Sequence, residues 1–265
     1  MSYANGPKIV TDGLVLCLDA ANRKSYPLSG NTIYDLSANG NNGTFVNGPV
    51  FNSANGGSVV LDGTNDYIEV ATKNTNLEFQ PTSPYSVFVF LKSPSSGSQS
   101  AIVANLQGST PYQGWDFWFN NASNANTIAM HFVDTWDTNA IKVRCDYNFS
   151  NYANNWVMLG YTYDGSSPTN STNVLNSVDF YINGQLHTSG KTLAGSSADG
   201  FLATNETITY NTSQRFRVGS RWISGVANNP SAITIGNVLL YNGKKLSANE
   251  VQQNYNALKG RYGLT

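Results

Sequence analysis

Turn-forming dipeptides recur along the whole of this 265-residue chain and constrain its fold more than any other feature of the sequence. Asn-Gly and Asp-Gly pairs between short apolar runs are strong signals for tight turns between strands, because these residues tolerate positive φ. The pairs begin at Asn5, Asp12, Asn39, Asn42, Asn47, Asn55, Asp62, Asp164, Asn183, Asp199 and Asn242. Their spread predicts a single all-β domain over residues 1–265, with no separate helical domain.

The apolar runs between these turns have the lengths and residue types of β-strands. Gly13–Asp19 and Tyr85–Lys92 are apolar on both alternating faces, which predicts strands in the middle of a sheet. In residues 141–146, apolar and polar residues alternate strictly. We therefore expect the polar side chains Lys142 and Arg144 to face water.

The chain contains two cysteines, Cys17 and Cys145, and each lies inside a strand-like run. Two lone cysteines in a chain of this size favour buried thiols over a disulfide framework. A bridge between them remains the less favoured alternative, because cysteines on strands need an uncommon geometry to pair.

The end of the chain carries the one convincing helix signal. Ser247 and Glu250 have the spacing of a capping box, with Ser247 as the N-cap. Apolar residues at helical spacing follow on one face: Val251, Tyr255 and Leu258. Gly260 is placed to end the helix, so the sequence predicts a short helix over about residues 247–259.

The charge of the chain is low and balanced, which bears on its partners. Only 12% of the residues are charged and the formal net charge is −1. This balance gives no electrostatic reason to expect nucleic acid or an anionic membrane as a partner. No apolar stretch approaches the roughly 20 residues that span a bilayer, and the first ten residues lack the pattern of a secretory signal.

Residues 58–70 form a candidate metal site as well as a candidate turn. Two strand-like runs, Val59–Leu61 and Tyr67–Val70, flank a polar bend, and the plain interpretation is a β-hairpin of a sandwich. Asp62, Asn65 and Asp66 also crowd oxygen atoms into this bend, as a Ca²⁺ site requires. Calcium is the one cofactor that the sequence suggests, and both interpretations stay open here.

An aromatic strand at residues 114–119 is the candidate carbohydrate site. Alternation puts Trp115 with Phe117 and Phe119 on one face, and Asp116 with Trp118 on the other. A charged neighbour suggests water nearby, so we expect Trp115 to be the core ring and Trp118 the exposed ring. Exposed rings bind sugars by stacking, while polar oxygens take the hydroxyl groups. The candidate sugar-binding residues are therefore Trp118, Asp116 and Trp136, and the alternative is that these aromatic rings fill the core.

Several passages resemble one known family. They are GLVLCLD at 13–19, YDLSANGNNGTFVNGP at 34–49, VLDGTNDYIEV at 60–70, WVMLGYTYDG at 156–165, SVDFYING at 177–184 and LSANEVQQNY at 246–255. Together they resemble the laminin-G-like domains of the concanavalin A-like lectin/glucanase family, in the form found in bacteriophage structural proteins. The chain departs from the family pattern at Asn183, which stands in place of the usual Asp and preserves the Asn-Gly hairpin. It also departs at Asn237 and Val238, where acidic residues are common, and this second departure weakens the calcium argument.

The resemblance implies a concanavalin A-like jelly-roll β-sandwich of two antiparallel sheets with one short C-terminal helix. It further implies a non-enzymatic virion structural protein, such as a capsid decoration or a head or tail fibre, located on the particle surface. The implied partners are other capsid or tail proteins and further copies of the chain, a trimer being the commonest fibre arrangement. The motif at 34–49 has a purely structural alternative, a loop that crosses a sheet edge.

Two other functions compete with the virion role. The first is a carbohydrate-binding module or adhesin that recognises a host surface glycan. The second, a glycan hydrolase, is weaker because the related glucanases carry a Glu-x-Asp-x-x-Glu strand. The four glutamates of this chain, Glu69, Glu78, Glu206 and Glu250, are not arranged in that way. We therefore expect a protein without enzymatic activity.

Overall fold

The computed structural model describes residues 7–70, 73–96, 98–120, 126–136, 138–168, 170–194 and 207–265. Within these ranges the chain forms two large antiparallel sheets of eight and nine strands, a separate two-stranded hairpin and three α-helices. The arrangement confirms the predicted sandwich of two antiparallel sheets. We call the eight-stranded sheet sheet I and the nine-stranded sheet sheet II.

Sheet I lies next to the C-terminal helix. Its strands are β1 (Leu14–Asp19), β4 (Val50–Asn52), β5 (Ser58–Val60), β7 (Tyr85–Lys92), β12 (Trp156–Tyr163), β13 (Val178–Ile182), β14 (Gln185–His187) and β19 (Thr234–Asn242). They are ordered β14-β13-β12-β7-β19-β5-β4, and β1 also pairs with β19. The helices are α1 (Phe149–Tyr152), α2 (Ser171–Ser177) and α3 (Ala248–Leu258), and short 3₁₀ turns span Ala54–Gly56, Thr75–Leu77 and Lys259–Tyr262.

Sheet II carries the candidate site. Its strands are β2 (Thr32–Ile33), β3 (Gly43–Val46), β6 (Tyr67–Val70), β8 (Ser100–Leu106), β9 (Gly114–Asn120), β10 (Thr127–Thr135), β11 (Asn139–Asp146), β15 (Thr192–Leu193) and β16 (Arg217–Val218). They are ordered β15-β11-β10-β9-β8-β16-β6-β3-β2. The separate hairpin consists of β17 (Arg221–Ile223) and β18 (Val226–Asn228).

The main core fills the space between the two sheets and is rich in aromatic rings. Trp115 is fully buried there and stacks on Phe79, with 4.6 Å between the ring centroids. The indole Nε1 of Trp115 donates a hydrogen bond to the Leu77 carbonyl at 2.8 Å, so its polar atom is satisfied inside the core. The prediction that Trp115 is a core ring is confirmed.

The middle of sheet I is buried on both faces, which explains why β7 carries apolar residues on both faces and is exposed only at its last residue, Lys92. Phe88 and Phe90 point away from the main core into a second apolar cluster, which α3 covers. The ring of Phe90 stacks on Tyr262 at 5.1 Å and on Tyr255 at 6.4 Å. The predicted position of β7 in the middle of a sheet is confirmed, since β12 and β19 pair with it on either side.

The predicted C-terminal helix is confirmed as α3. The Ser247 side chain accepts from the Glu250 N–H and the Glu250 carboxylate accepts from the Ser247 N–H, which completes the capping box. The sequence suggested that Gly260 ends the helix, but the helical segment continues past it. A 3₁₀ turn continues through Tyr262 and stops at Gly263, whose φ of 69° is the left-handed geometry that glycine favours.

Residues 34–43, the first part of the motif at 34–49, cover a free edge of sheet I, which is the structural alternative considered for this motif. Strand β1 pairs with β19 alone among the described strands, so its prediction as a central strand is wrong. Side chains replace the missing neighbour: Asp35 accepts from the Cys17 N–H at 2.9 Å, and Asn41 donates to the Val15 carbonyl at 2.7 Å. These bonds satisfy backbone groups that an open strand edge would leave exposed.

Residues 58–70 do not form the predicted hairpin. Strand β5 belongs to sheet I, whereas β6 belongs to sheet II, so the bend between them crosses from one sheet to the other. Gly63, with φ of 76°, allows this crossing, because a side chain there would meet Ala232 at 2.7 Å. Turn residues predict a change in chain direction, but they do not determine whether the strand after the turn pairs with the strand before it.

The two cysteines are free and buried, as predicted. Burial raises the pKa of the Cys17 thiol to about 12, with nearby Asp19 adding to the effect, so this thiol stays protonated at neutral pH. Among the described residues, no helix is both long enough and apolar enough to cross a membrane.

Candidate functional site

The outer face of sheet II, which points away from the main core, carries the polar and aromatic residues selected from the sequence. In β9 the side chains of Trp115, Phe117 and Phe119 enter the core, so Asp116 and Trp118 must point outward. Antiparallel pairing then places Asp116 opposite His131 of β10, and His131 opposite Lys142 of β11. On the other side the row continues through Ala104 and Arg217 to Glu69.

The hairpin β17–β18 lies over this row and converts an outer face into a buried polar layer. Two arginines hold it. Arg217 of sheet II donates to three hairpin carbonyls, those of Arg221, Ile223 and Val226, at 3.0, 3.0 and 2.6 Å. Its guanidinium also pairs with Glu69 at 2.7 Å, so its charge is compensated although the side chain is 1% exposed.

The second arginine, Arg221 of the hairpin, forms the centre of a buried ion group. Its Nε and Nη2 both lie 2.7 Å from Oδ2 of Asp116, which is fully buried. The other carboxylate oxygen of Asp116 accepts a hydrogen bond from Nδ1 of His131 at 2.7 Å. The carboxylate is therefore saturated by protein groups and ties the hairpin to the sheet.

The protonation states in this group follow from competing effects. Burial opposes the ionisation of Asp116, but the charge of Arg221 and the contacts with His131 outweigh it, so the pKa of Asp116 lies below its ordinary value. For His131, burial is the largest effect and lowers the pKa, with the cations Arg221 and Lys142 acting in the same direction against Asp116. We assign an ionised Asp116 beside a neutral His131 whose Nδ1 carries the proton.

The three candidate sugar-binding residues meet in this layer, but not as an exposed platform. The expectation that Trp118 is exposed is wrong: its side chain is 5% exposed, and the guanidinium of Arg221 lies 3.8 Å from its ring centroid. Asp116 is fully buried and engaged. Trp136, just after β10, is half-buried; its ring lies 5.0 Å from His131 and 5.3 Å from Tyr112.

The predicted exposure of Lys142 is also wrong. Trp136 lies over the outer face, so Lys142 is covered and only 5% exposed. Its ammonium group donates to the Trp136 carbonyl at 2.8 Å and lies 4.9 Å from that ring. Alternation identified the correct face of β11 for Lys142, but it could not show that Trp136, outside this strand, covers that face.

An open pocket of about 410 Å³ lies at one edge of sheet II, which is formed there by β15, β11 and β10. We call it the outer pocket. It is lined by polar side chains and one glycine: Asn126, Thr127, Arg144, Asp146, Asn148, Gly190 and Thr192. Arg144 is half-buried and turned toward this pocket, so its predicted exposure to water is only partly met.

In the candidate metal site at residues 62–66, the carboxylates accept hydrogen bonds from the backbone of the bend itself. One oxygen of Asp62 accepts from the Thr64 and Asn65 N–H groups at 2.7 and 3.3 Å, and Asp66 accepts from the Asp62 N–H at 3.3 Å. Asp62 and Asn65 are exposed, whereas Asp66 is buried. Among the residues that the structure describes, no group of three acidic, histidine or cysteine side chains is placed to hold a metal ion. Calcium binding here stays a prediction.

The glutamates considered for glycan hydrolysis lie on separate elements. Glu69 is on β6, Glu250 is on α3, and Glu78 follows the 3₁₀ turn Thr75–Leu77. Each forms an ion pair with a neighbouring cation, respectively Arg217, Lys244 and Lys73. Glu206 lies outside the described residues.

Sequence reasoning missed His131, Arg217 and Arg221 as members of the site. A signal existed for His131, since it alternates with apolar residues in β10 and so shares the outward phase of Lys142 in β11. No local signal marked Arg221, which follows β9 by about a hundred residues and reaches Asp116 only through the folding of the hairpin.

No protein-family model matches the sequence, and no curated protein matches it. Solved structures do. The fold is similar to the binding domain of Paraclostridial Mosquitocidal Protein 1, with a TM-score of 0.64 and 18% identity over 96% of this chain and 56% of that one. It is also similar to the botulinum neurotoxin serotype D binding domain, with a TM-score of 0.61 and 17% identity over 93% and 52% of the two chains.

A third similar structure is the botulinum neurotoxin type G receptor binding domain, with a TM-score of 0.56 and 17% identity over 92% of this chain and 51% of that one. The chain thus spans about half the length of the structures it matches. At identities this low the structural similarity shows a shared fold alone, a jelly-roll β-sandwich of the kind that the sequence resemblance implied.

Proposed function

We propose that this chain is a non-enzymatic binding domain that recognises a surface glycan in the outer pocket. The observation that carries the proposal is the pocket itself. It is an open, polar cavity at the edge of sheet II, on the face that α3 does not cover. The similar toxin structures are binding or receptor binding domains by name, and this supports a binding role for the fold.

The size and lining of the outer pocket suit a sugar. Its volume of about 410 Å³ lies within the range of small-molecule sites. Hydroxyl, amide and charged groups of Thr127, Arg144, Asn148 and Thr192 line it, and these can donate to and accept from sugar hydroxyl groups. We therefore place the sugar site at Arg144 on β11 and not at Trp118 on β9, where the sequence suggested it. The two strands are separated by β10 in the sheet.

Strand β10 links the outer pocket to the buried layer, because it carries Thr127 in the pocket lining and His131 in the layer. Two contacts of 2.7 Å from Arg221 to Asp116 hold the hairpin against sheet II, and a third of 2.7 Å from His131 fixes Asp116 within the sheet. A site on rigid elements loses less conformational entropy when a ligand binds. In this account Trp118, Asp116 and Trp136 support the binding face and do not contact the ligand.

We also propose that the domain is displayed on a bacteriophage particle, attached to other capsid or tail proteins. The support is the resemblance of the passages at 13–19, 34–49 and 246–255 to sequences of bacteriophage structural proteins. On such a particle, a β-sandwich whose outer face carries a polar pocket would serve to attach the particle to a host surface. Mass spectrometry of purified bacteriophage particles tests this location, and absence of the chain from their proteins contradicts it.

A glycan array with two matched variants tests the binding role. Thr192 is exposed and lines the outer pocket, so Thr192→Trp fills the pocket without disturbing the core. Asn176 is exposed beside a different polar pocket of about 250 Å³, so Asn176→Trp is the control. We expect the wild type and the control to bind the same glycans and Thr192→Trp to lose them. Failure of the wild type to bind any glycan, or equal binding by all three proteins, contradicts the proposal.

A further inference from the structure

Arg144 differs from the other buried or half-buried arginines of the site. Arg217 and Arg221 each pair with a carboxylate at 2.7 Å. Arg144 makes no hydrogen bond and no ion pair with any residue in the described ranges, although its side chain is half-buried in the outer pocket. A guanidinium that has lost part of its water without gaining a protein partner is poised to take an anion.

The acidic residue of the pocket lining, Asp146, forms no ion pair with Arg144. Asp146 lies two residues along the same face of β11, but its carboxylate is engaged with the turn at Ser189 and Gly190. The Ser189 hydroxyl donates to Asp146 Oδ2 at 3.1 Å, and a side chain on Gly190 would meet Asp146 Oδ1 at 2.1 Å. Asp146 therefore repels an anion from its own end of the pocket and leaves the Arg144 end as the favourable position.

Short cross-strand neighbours leave space around the guanidinium. Arg144 pairs with Ala129 of β10 on one side and with Thr192 of β15 on the other. Neither side chain is long enough to cover the five N–H donors of arginine. The planar fork of these donors matches the two oxygens of a carboxylate or sulfate group.

We propose that Arg144 binds the anionic group of an acidic sugar, a carboxylate or a sulfate, while the remaining wall of the outer pocket binds its hydroxyl groups. This inference rests on the proposed glycan-binding function and specifies its ligand class. Asn148 is suited to the second task, because it lines the outer pocket and its Oδ1 accepts from the Ser150 N–H and hydroxyl, which leaves its amide N–H groups to donate to a ligand.

The test uses matched sugars and three proteins. The probes are hexose, hexuronate and hexose 6-sulfate in the gluco, galacto and manno series, titrated into the wild type, Arg144→Gln and Arg144→Lys. Within the preferred series, the wild type should bind an anionic member at least about tenfold more tightly than the neutral hexose. Arg144→Gln should bind both members equally, and Arg144→Lys should keep part of the preference because it keeps the charge but not the fork.

The outcomes separate the two levels of the proposal. A stronger response to hexuronate identifies a carboxylate ligand, and a stronger response to the sulfate identifies a sulfated one. If the neutral hexose binds as tightly as the anionic members and Arg144→Gln changes nothing, the acidic-sugar inference is overturned while the glycan-binding function stands. If no sugar of any series binds the wild type, both are overturned. Thermal melting of each variant confirms that it is folded.

Discussion

Removing the charge of Arg221 gives the most informative test of the buried layer. Arg221→Met keeps the length and apolar contact of the side chain on the Trp118 ring but deletes the partner of Asp116. Asp116 then keeps a single strong contact, the hydrogen bond from a neutral His131. The carboxylate must stay charged in a buried site or take up a proton, and both states cost free energy.

The magnitude follows from the burial of the pair. Asp116 is 0% exposed and Arg221 is 6% exposed, so solvent does not screen their contact. Breaking such a pair from one side costs about 3–5 kcal/mol, a large part of the roughly 5–15 kcal/mol that stabilises a typical domain. Asp116→Asn should cost a similar amount, because it leaves Arg221 without a counter-charge. The double variant should lose at least about 1 kcal/mol less than the sum of the two single losses.

Urea denaturation followed by tryptophan fluorescence measures these free energies of unfolding. Lys245→Met is the control, because Lys245 pairs with Asp179 at 2.8 Å in a partly exposed position where an ion pair contributes under about 1 kcal/mol. Losses below that control value for Arg221→Met, or strict additivity in the double variant, refute the reasoning.

Four further predictions follow from the structure and the sequence. His131 is buried and its pKa is lowered, so its contribution to stability is complete above its unfolded pKa of about 6.5 and is lost as the pH falls below that value. The melting temperature should therefore drop between pH 7.5 and pH 5.5, and it should drop less in His131→Gln. Trp115→Ala and Trp118→Ala should each cost about 3–5 kcal/mol, measured by urea denaturation, since both rings are buried, and a mild loss at Trp118 contradicts its burial. If Asp62 and Asp66 bind calcium, a chelator should lower the melting temperature, and an unchanged melt leaves the bend a plain turn. Light scattering should show self-association, with a trimer expected, and a strict monomer counts against the fibre role.

The fold could be predicted where local chemistry decides it. Turn dipeptides gave the all-β class, and many of them adopt the expected geometry, as with φ of 64° at Asn47 and 50° at Asn183. The capping box located α3 to within a residue. These signals depend on residues close together in the sequence, so no knowledge of the tertiary structure is needed to interpret them.

The site could be predicted only in part, because its burial depends on distant segments. Alternation put Asp116 and Trp118 on the correct face of β9, but it could not show that the hairpin of residues 221–228 covers them. The same limit applies to residues 58–70, where the turn was recognised and the change of sheet was not. That Arg144 has no partner among the described residues is likewise a property of the folded chain.

Hydrogen exchange with and without the glycan preferred on the array tests the central claim most directly. If the outer pocket is the binding site, the ligand should slow amide exchange in β11 (Asn139–Asp146) and at the turn around Gly190 that adjoins it. Helix α3 (Ala248–Leu258), on the far side of sheet I, should exchange at the same rate in both states. Protection confined to α3, or to the segments of sheet I, contradicts a binding site on the outer face of sheet II.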